Sequence, residues 1–372
     1  MTGIIVHEWL AQTGGSENVV KEIAAAFPDA PIVCLWDDAP ERFVAGRVHE
    51  TWLARTPLRT SKALALLFMP LTWTTIRKPL ATSPDWILTS SHLFAHHARF
   101  RGVAADVPRL AYVHTPARYI WSPALDHRGN SLVARLVSVP LKLLDRRRAQ
   151  GLHGIAANSH AVAARIRRYW GRESIVIYPP VDVDYFSSEH HRVAGADRAV
   201  LTVLPKRFVL GASRFIPYKR LDLVIEFGIA TGVDVVLAGS GPERSRLEQL
   251  ALRHPGRVHF VDDPSRSLLR ELYGQADAFI FPAFEDFGIM PVEAMAAGTP
   301  VVALNRGGTS ESVINGVTGV LLSEFTPENA QGAFALVATL DPQACRDRAQ
   351  EFGIPRFHTQ LREWLEDSVT TS

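Results

Sequence analysis

The segment FPAFEDFGIMPVEAMAAGTP, residues 281–300, contains the succession of strand, loop and helix on which the fold assignment depends. Its apolar start is typical of a buried strand, and a helix is expected to begin near Gly288. The glycine and proline that close the segment predict that this helix ends there. Glu285 falls in the loop and Glu293 in the helix. The segment is therefore expected to be one strand-loop-helix unit of a parallel sheet.

Short apolar runs rich in Val and Ile alternate with helix-like segments along the whole chain. This alternation predicts an α/β protein with two doubly wound, Rossmann-like parallel-sheet domains, and 372 residues suit two domains better than one core. Paired prolines at 179 and 180 stiffen the chain and predict a linker from Pro179 to about Pro205. We expect an N-terminal domain over residues 1–186, a C-terminal domain over 187–350 and a terminal helix over 351–372.

Composition and charge exclude several classes of protein. Hydrophobic residues make up 47% and charged residues 21% of the chain, which is typical of folded proteins. Residues up to Phe186 include 22 basic and 15 acidic side chains, so this half is basic although the net charge of the chain is only +2. Anionic lipid or a phosphorylated acceptor would be attracted to it. Nucleic acid is not expected, because the cations are scattered and match no recognition motif.

No targeting signal is expected from the sequence. The N-terminus lacks the cationic start and long apolar segment of a signal peptide, and the longest apolar run is about half of what a bilayer-spanning helix needs. We therefore expect a cytoplasmic protein. Between Trp52 and Lys78, basic and aromatic residues surround an apolar face that would either lie on the inner face of a membrane or pack into its own domain.

The two glutamates of the opening segment suit a nucleotide sugar. Backbone amides at Gly288 and Ile289 would form an anion site at a helix N-terminus, which predicts a diphosphate there. Glu285 and Glu293 would then accept hydrogen bonds from sugar hydroxyls on either side. The alternative is that Glu285 complements the helix dipole and that Glu293 is a solvated surface residue.

A second segment, GASRFIPYKRLD at residues 211–222, places Arg214 and Lys219 at the carboxyl end of a strand. Two cations there suit a diphosphate leaving group, whose negative charge they would stabilise, although helix-entry charges that only aid solubility remain the alternative. The turn GSGP at 239–242 lacks the third glycine of a dinucleotide fingerprint, and no Walker A sequence occurs. A dehydrogenase and a phosphate-loop NTPase are therefore disfavoured.

The N-terminal half offers two further candidates. Gly14 and Gly15 follow the first strand, where their amides would either approach a ligand or only shape a turn. His114 ends another strand, so it is either a ligand-binding residue or a hydrogen-bonded structural histidine.

Taken together, these motifs resemble the family-4 glycosyltransferases of the two-domain GT-B type across essentially the whole chain. Glu285 and Glu293 are similar to that family's Glu-x7-Glu motif, and Arg214 with Lys219 to its diphosphate-binding pair. Gly14 and Gly15 are similar to its N-terminal glycine loop. The resemblance implies that the two domains face a central cleft and that the terminal helix crosses back to the first domain.

The resemblance also implies a retaining hexosyltransferase that uses a nucleotide-sugar co-substrate and no metal or other cofactor. Glu285 would contact the donor sugar and Glu293 the ribose hydroxyls. The catalytic residues would be Glu285, His114, Arg214 and Lys219; the donor-binding residues Gly14, Gly15, Arg214, Lys219, Gly288, Ile289, Glu285 and Glu293; and the acceptor-binding residues His114, Arg118, Tyr119 and Trp121.

More narrowly, YVHTPARYIW at residues 112–121 looks like bacterial mannosyltransferases that use GDP-mannose for polysaccharide assembly. The expected acceptor is a glycan or a lipid-linked glycan. Three alternatives remain: a transferase that uses a UDP-sugar, a nucleotide-sugar epimerase of the same fold, and a catalytically silent sugar- or lipid-binding protein. A silent protein is disfavoured because both cations and both glutamates are present.

Overall fold

The computed structural model describes residues 1–80, 83–104, 106–122, 132–188 and 195–370. The chain divides into two compact units, one formed by Met1–Pro180 with Pro355–Ser372 and the other by Val181–Ile354. Each unit contains a parallel sheet whose apolar strands alternate with helices along the chain. The predicted α/β class with two parallel-sheet domains is confirmed.

The first unit is built on a seven-stranded sheet with the order β3-β2-β1-β5-β7-β8-β9, and β4 pairs with β6 in a separate two-stranded sheet. The central strands are buried because helices cover both faces. In chain order the elements are β1 (Gly3–His7), α1 (Gly15–Ala26), β2 (Ile32–Cys34), β3 (Val48–Glu50), α2 (Lys62–Thr72), β4 (Ile76–Arg77), β5 (Trp86–Ser91), β6 (Phe100–Arg101), β7 (Arg109–Val113), α3 (Arg118–Trp121), α4 (Leu132–Gln150), β8 (Gly154–Ala157), α5 (His160–Trp170) and β9 (Ile175–Val176).

The second unit is built on a six-stranded parallel sheet with the order β12-β11-β10-β13-β14-β15. Its central strands β10 and β13 are fully buried, as their apolar composition predicts. In chain order the elements are α6 (Val183–Ser187), α7 (Gly195–Val203), β10 (Phe208–Ala212), α8 (Leu221–Thr231), β11 (Asp234–Ala238), α9 (Arg244–Ala251), β12 (Val258–Val261), α10 (Arg266–Gln275), β13 (Ala278–Phe281), α11 (Ile289–Ala296), β14 (Val301–Leu304), α12 (Thr309–Ser312), β15 (Gly319–Leu322), α13 (Pro327–Val337) and α14 (Pro342–Gln350).

The last helix, α15 (Ile354–Thr370), returns the chain to the first unit. Its apolar side chains recur at helical spacing and lie in the core of that unit with Tyr112 of β7 and residues of α1. At the edge of this contact, His358 Nε2 lies 3.1 Å from Glu22 Oε2. The core-facing residues of α15 are Phe357, Leu361, Trp364 and Leu365.

The predicted linker over 179–205 is wrong, because ordered structure of the second unit begins directly after Pro180. The amide of Val181 donates a hydrogen bond of 2.9 Å to the carbonyl of Phe352. Asp182 then caps α6 by accepting a hydrogen bond from the amide of Tyr185 at 3.4 Å. Helices α6 and α7 both lie within the span that was expected to be a linker. The first unit therefore ends at Pro180 rather than at residue 186.

Helix α2 is apolar on two faces. One face packs into the core of the first unit through Ala65 and Met69. The other presents four large apolar side chains to solvent at the spacing i, i+3, i+4, i+7. Among the residues with assigned structure, no helix is both long and apolar enough to cross a membrane. The exposed apolar residues of α2 are Leu64, Leu67, Phe68 and Leu71.

Shortening a core side chain of α15 tests its contribution to the first unit. Leu361 is fully buried, so Leu361→Ala is expected to lower the free energy of unfolding of that unit by about 2–5 kcal/mol. Urea denaturation combined with hydrogen exchange would assign the change to β1, β5 and β7. The exposed Glu363→Ala on the same helix is the matched control and should change stability by less than about 0.5 kcal/mol. Equal stability of the two variants would contradict the packing.

Candidate active site

Strand pairing in the second unit brings together a cation and a carboxylate from two loops. Because β10 and β13 are parallel neighbours, their carboxyl ends lie at the same edge of the sheet. The loop after β10 carries Lys219, and the loop after β13 carries Glu285. Lys219 Nζ donates a hydrogen bond of 2.5 Å to Glu285 Oε1, and the two side chains are only 12% and 19% exposed. Restricted exposure to water strengthens this ion pair compared with one on an open surface.

The loop that carries Glu285 is held in place by the two glycines after β14. The amide of Gly308 donates a hydrogen bond of 3.0 Å to the carbonyl of Glu285. A Cβ atom at Gly308 would lie 2.0 Å from the carbonyl oxygen of Asp286, so only glycine allows this approach of two backbones. The Gly307-Gly308 pair therefore supports the position of Glu285.

The helix predicted to follow this loop begins at Ile289, as α11, after Gly288 in a left-handed conformation with φ of +89°. Glu293 lies on this helix, and its Oε2 accepts a hydrogen bond of 3.1 Å from the hydroxyl of buried Tyr273. Burial raises the pKa of Glu293 to about 7, although the bond from Tyr273 acts in the opposite direction. Glu293 is therefore not the solvated surface residue of the alternative interpretation.

Arg266, which the sequence analysis did not identify, acts on Glu293 through its charge. Its positive charge lowers the pKa of the Glu293 carboxyl, whereas the negative charge of Asp182 raises it. Arg266 donates a hydrogen bond of 2.5 Å to Asp182 Oδ2, and its guanidinium lies 4.0 Å from the centre of the Tyr185 ring. In the sequence, the residues around Asp182 indicated a domain boundary, but nothing there indicated that Asp182 pairs with Arg266.

Arg214 is exposed at the carboxyl end of β10, and within the described ranges its side chain forms no ion pair. The loop that carries it is fixed by neighbouring backbone, because the amide of Phe215 donates a hydrogen bond of 2.7 Å to the carbonyl of Ser240. The GSGP turn thus positions this loop. The structure brings Lys219 to Glu285 and leaves the Arg214 side chain in solvent.

In the first unit, the carboxyl ends of β1, β5 and β7 bring several histidines together. His114 follows β7, is 9% exposed, and its Nε2 lies 2.9 Å from Ser90 Oγ of β5. Burial, together with the nearby His92 and His7, lowers the pKa of His114 to about 3, so the imidazole is neutral at physiological pH.

Sequence reasoning missed three members of this cluster: His7, Glu8 and His92. Burial would raise the pKa of Glu8, but His92 and backbone donors hold it well below its usual range. Glu8 Oε2 lies 3.1 Å from His92 Nδ1, and its Oε1 accepts hydrogen bonds of 2.9 Å from the amides of Leu93 and Ala95. His7 and Glu8 are more than 80 residues from His92 in sequence, so no local pattern could have joined them.

The Gly14-Gly15 turn is close to a buried carboxylate. Glu17 is 4% exposed, and its Oε2 accepts a hydrogen bond of 2.8 Å from the hydroxyl of Ser16. A Cβ atom at Gly14 would lie 2.0 Å from the same oxygen, so this glycine makes room for Glu17. Donor binding by Gly14 and Gly15 stays a prediction.

Of the predicted acceptor residues, Trp121 has a structural contact of its own. Its Nε1 donates a hydrogen bond of 2.6 Å to Oδ2 of the buried Asp145, which also accepts one of 2.7 Å from Trp170 Nε1. The indole of Trp121 stacks on Tyr169 with 5.0 Å between ring centres. Arg118 and Tyr119 share the short helix α3 with Trp121. Acceptor contacts by these three residues stay predictions.

Two groups of side chains place potential metal ligands within 4.8 Å of one another, which the sequence spacing did not reveal. In the first group, Nδ1 of His7 lies 3.0 Å from the carbonyl oxygen of Ser90 and must donate to it, so His7 could offer a metal only its Nε2. The two groups are His7, Glu8 and His92, and His96, His97 and Asp145. The expectation that no metal is needed stays a prediction.

Comparison with known families covers most of both units. Residues 13–185 match the family described as Glycosyltransferase Family 4, and residues 196–352 match the family described as Glycosyl transferases group 1. The chain belongs to the family-4 glycosyltransferases. This agrees with the resemblance carried by Glu285, Glu293, Arg214 and Lys219.

Solved glycosyltransferase structures share the fold over almost the whole chain. HepE of Anabaena in complex with UDP-glucose has a TM-score of 0.67 with 21% identity and covers 98% of this chain and 99% of its own. Sucrose-phosphate synthase of Thermosynechococcus elongatus has a TM-score of 0.70 with 18% identity and full coverage of both chains. These likenesses confirm the predicted GT-B fold.

Sequence relatives match a shorter part of this glycosyltransferase. D-inositol 3-phosphate glycosyltransferase of Mycobacterium tuberculosis is 37% identical over 158 residues, which is 40% of this chain. The chain spans 32%, or about a third, of the length of that relative.

The raised pKa of Glu293 predicts a pH-dependent stability. A carboxyl whose pKa is about 7 when folded and near 4.5 when unfolded contributes stability that is present below about pH 4.5 and is lost as pH rises through about 7. Relative to Glu293→Gln, the wild-type protein is therefore expected to lose up to about 3 kcal/mol over this interval. Urea unfolding of both proteins between about pH 5 and about pH 8 measures the difference.

The exposed Glu324→Gln in the same unit serves as the control and should keep the wild-type pH dependence. If the free energies of unfolding of the wild type and of Glu293→Gln changed with pH in parallel, the Glu293 carboxyl would have an ordinary pKa.

Proposed function

We propose that this protein transfers a hexose from a nucleoside diphosphate sugar to a hydroxyl group of a glycan or a lipid-linked glycan, with retention of anomeric configuration. The observation that carries the proposal is the ion pair of Lys219, in the loop that leads to α8, with Glu285, in the loop that leads to α11. A cation for phosphate and a carboxylate for sugar hydroxyls are thus brought together before any ligand is bound.

Diphosphate binding would use the positive charges on these loops. The amides at Gly288 and Ile289, together with Lys219 and the exposed Arg214, would bind the phosphate oxygens. As the bond to the anomeric carbon breaks, negative charge grows on the departing phosphate, and fixed cations stabilise that charge more than they stabilise the bound donor. Lys219 would exchange Glu285 for phosphate, which frees the carboxylate to accept hydrogen bonds from the donor sugar.

Glu293 would bind the nucleoside part of the donor. A carboxylate accepts hydrogen bonds from two neighbouring ribose hydroxyls, and new donors on the ligand would favour its charged form. Because its pKa is raised to about 7 without a ligand, donor binding would be coupled to proton release from Glu293 near neutral pH.

Retention of configuration is proposed from the family resemblance. The acceptor hydroxyl would attack from the side on which the nucleotide leaves, and the departing phosphate would help to take its proton. His114, neutral because burial lowers its pKa to about 3, would accept or donate a hydrogen bond to a sugar hydroxyl without adding charge. No metal takes part in this scheme.

GDP-mannose is the proposed donor, on the similarity of residues 112–121 to bacterial mannosyltransferases. UDP-glucose is the main alternative, because the structurally similar HepE was solved with it. Thermal unfolding of the protein with GDP-mannose, UDP-glucose, GDP and UDP would rank the donors, since a ligand that binds only the folded state raises the melting temperature. Conversion of the free nucleotide sugar to an epimer would instead identify an epimerase.

Removing either partner of the ion pair is expected to abolish transfer. We expect Lys219→Ala and Glu285→Ala to lower kcat/KM by at least about 100-fold, the size of effect seen when one group that stabilises the transition state is removed. Released nucleoside diphosphate and glycosylated product would both be measured, with glycans and D-inositol 3-phosphate as acceptors.

The exposed Arg253→Ala and Glu324→Ala are matched charge controls in the same unit and should keep full activity. Full activity of a correctly folded Lys219→Ala or Glu285→Ala would refute the transferase assignment to this site.

We further propose that α2 attaches the protein to anionic lipid at a membrane surface, where a lipid-linked acceptor would be met. The exposed stripe formed by Leu64, Leu67, Phe68 and Leu71 supports this proposal, because large apolar side chains on one helix face are rarely left in water without a partner. Exposed Arg55 and Arg77 would add attraction to anionic headgroups.

Sedimentation with phosphatidylcholine vesicles, with and without phosphatidylglycerol, tests this attachment. We expect the wild type to bind the anionic vesicles at low salt and Leu67→Asp with Leu71→Asp to lose at least about tenfold in binding, since two apolar contacts become charged. Leu252→Asp, at a leucine that is 77% exposed in the other unit, should bind as the wild type does. Absence of wild-type binding would refute the attachment.

A further inference from the structure

His7, at the carboxyl end of β1, is fully buried, yet one of its ring nitrogens has no hydrogen-bond partner in the described part of the chain. Its Nδ1 lies 3.0 Å from the carbonyl oxygen of Ser90. A carbonyl oxygen only accepts hydrogen bonds, so Nδ1 must carry the proton. The unpartnered atom is Nε2.

The charge state of His7 follows from its surroundings. Burial lowers its pKa, and nearby His92 lowers it further, whereas Glu8 and Glu17 act in the opposite direction. In the neutral ring with its proton on Nδ1, the Nε2 atom carries a lone pair and no hydrogen. A buried acceptor without a partner costs about 1–3 kcal/mol, so a donor from a ligand would restore a favourable interaction.

The groups around His7 determine which ligand fits. The ring centre of His7 lies 5.6 Å from that of His92 and 6.5 Å from that of His114. The carboxylates of Glu8 and Glu17 are buried close by, with exposures of 0% and 4%. Their charge repels an anionic phosphate, and a lone pair does not attract one. The surroundings of His7 therefore favour a ligand that offers hydrogen-bond donors and carries no negative charge there.

His7 is also joined to His114 through one side chain. Ser90 Oγ lies 3.1 Å from His7 Nδ1 and 2.9 Å from His114 Nε2. The two rings therefore belong to one hydrogen-bonded group at the ends of three neighbouring strands. A ligand that contacts one ring lies within reach of the other.

We propose that His7 Nε2 accepts a hydrogen bond from a hydroxyl group of the acceptor sugar and so positions that sugar beside His114. That the sugar is the acceptor rests on the proposed transferase function. The site lies wholly within the first unit, whereas the cations suited to the donor diphosphate lie in the second.

Two amide substitutions separate this binding role from a structural one. Asn at position 7 places an amide N–H where Nδ1 lies and keeps the bond to Ser90, but it removes the acceptor. Gln reaches the position of Nε2 with its carbonyl oxygen and keeps an acceptor there, but it loses the bond to Ser90.

At saturating donor, we expect His7→Asn to raise the KM for the acceptor by about tenfold, the equivalent of one hydrogen bond, and His7→Gln by no more than about threefold. The KM for the donor should not change in either variant. His49→Asn, at an exposed histidine of the same unit, is the control. The opposite order, with Gln more damaging than Asn, would assign His7 a structural role and overturn the inference.

An NMR measurement that needs no turnover tests the inference about His7 separately from the proposed transferase function. In side-chain ¹⁵N spectra of the wild-type protein, His7 should appear as the Nδ1–H tautomer, and its Nε2 resonance should move when methyl α-mannoside, methyl α-glucoside or myo-inositol is added with GDP or UDP. If this shift occurs but no nucleotide sugar is turned over, the hydroxyl site stands and the transferase proposal fails. If transfer is active and no probe moves the resonance, the inference about His7 fails alone.

Discussion

Parallel strand pairing is the constraint on which both groups of side chains depend. In the second unit, the register Val209 to Ala278 aligns β10 with β13, so the loops that follow them meet and Lys219 contacts Glu285 across 66 residues of sequence. In the first unit, β5 lies between β1 and β7 and joins their ends through Ser90. Backbone hydrogen bonds within the sheets thus decide which side chains meet, because each carboxyl end lies at the same edge.

Carboxylates that are fully or partly buried in the two units are stabilised to different extents. Glu8 lies beside His92 and accepts backbone hydrogen bonds, and these partners outweigh burial and hold its pKa well below the usual range. Burial is likewise outweighed at Asp145, where His96 and His97 hold the pKa well below its usual range. Within the described residues, the Tyr273 hydroxyl is the one hydrogen-bond donor to the Glu293 side chain, so burial dominates and raises the pKa of Glu293 to about 7. The charge of Glu293 is therefore sensitive to ligand binding near neutral pH.

Much of the fold could be predicted, and the failures have physical causes. The apolar runs that became β10, β13 and β14 are strands because buried parallel strands need continuous apolar sequence. The edge strand Val48–Glu50 has no such run and was not predicted, since one side of an edge strand is exposed. The paired prolines marked the boundary correctly at Pro180, but the linker beyond them was wrong because α6 and α7 fold into the second unit.

The sequence by itself determined the two parallel-sheet domains, the positions of Glu285, Arg214 and Lys219 after strand ends and of Glu293 in a helix, and the family to which the chain belongs. These depend on local periodicity and short motifs. Only the tertiary structure decided that Lys219 pairs with Glu285, that Glu293 is held by Tyr273, and that His7 presents a bare nitrogen beside His92 and His114. Such contacts join residues far apart in the chain, and burial of a charge is a property of the folded state that no local pattern encodes.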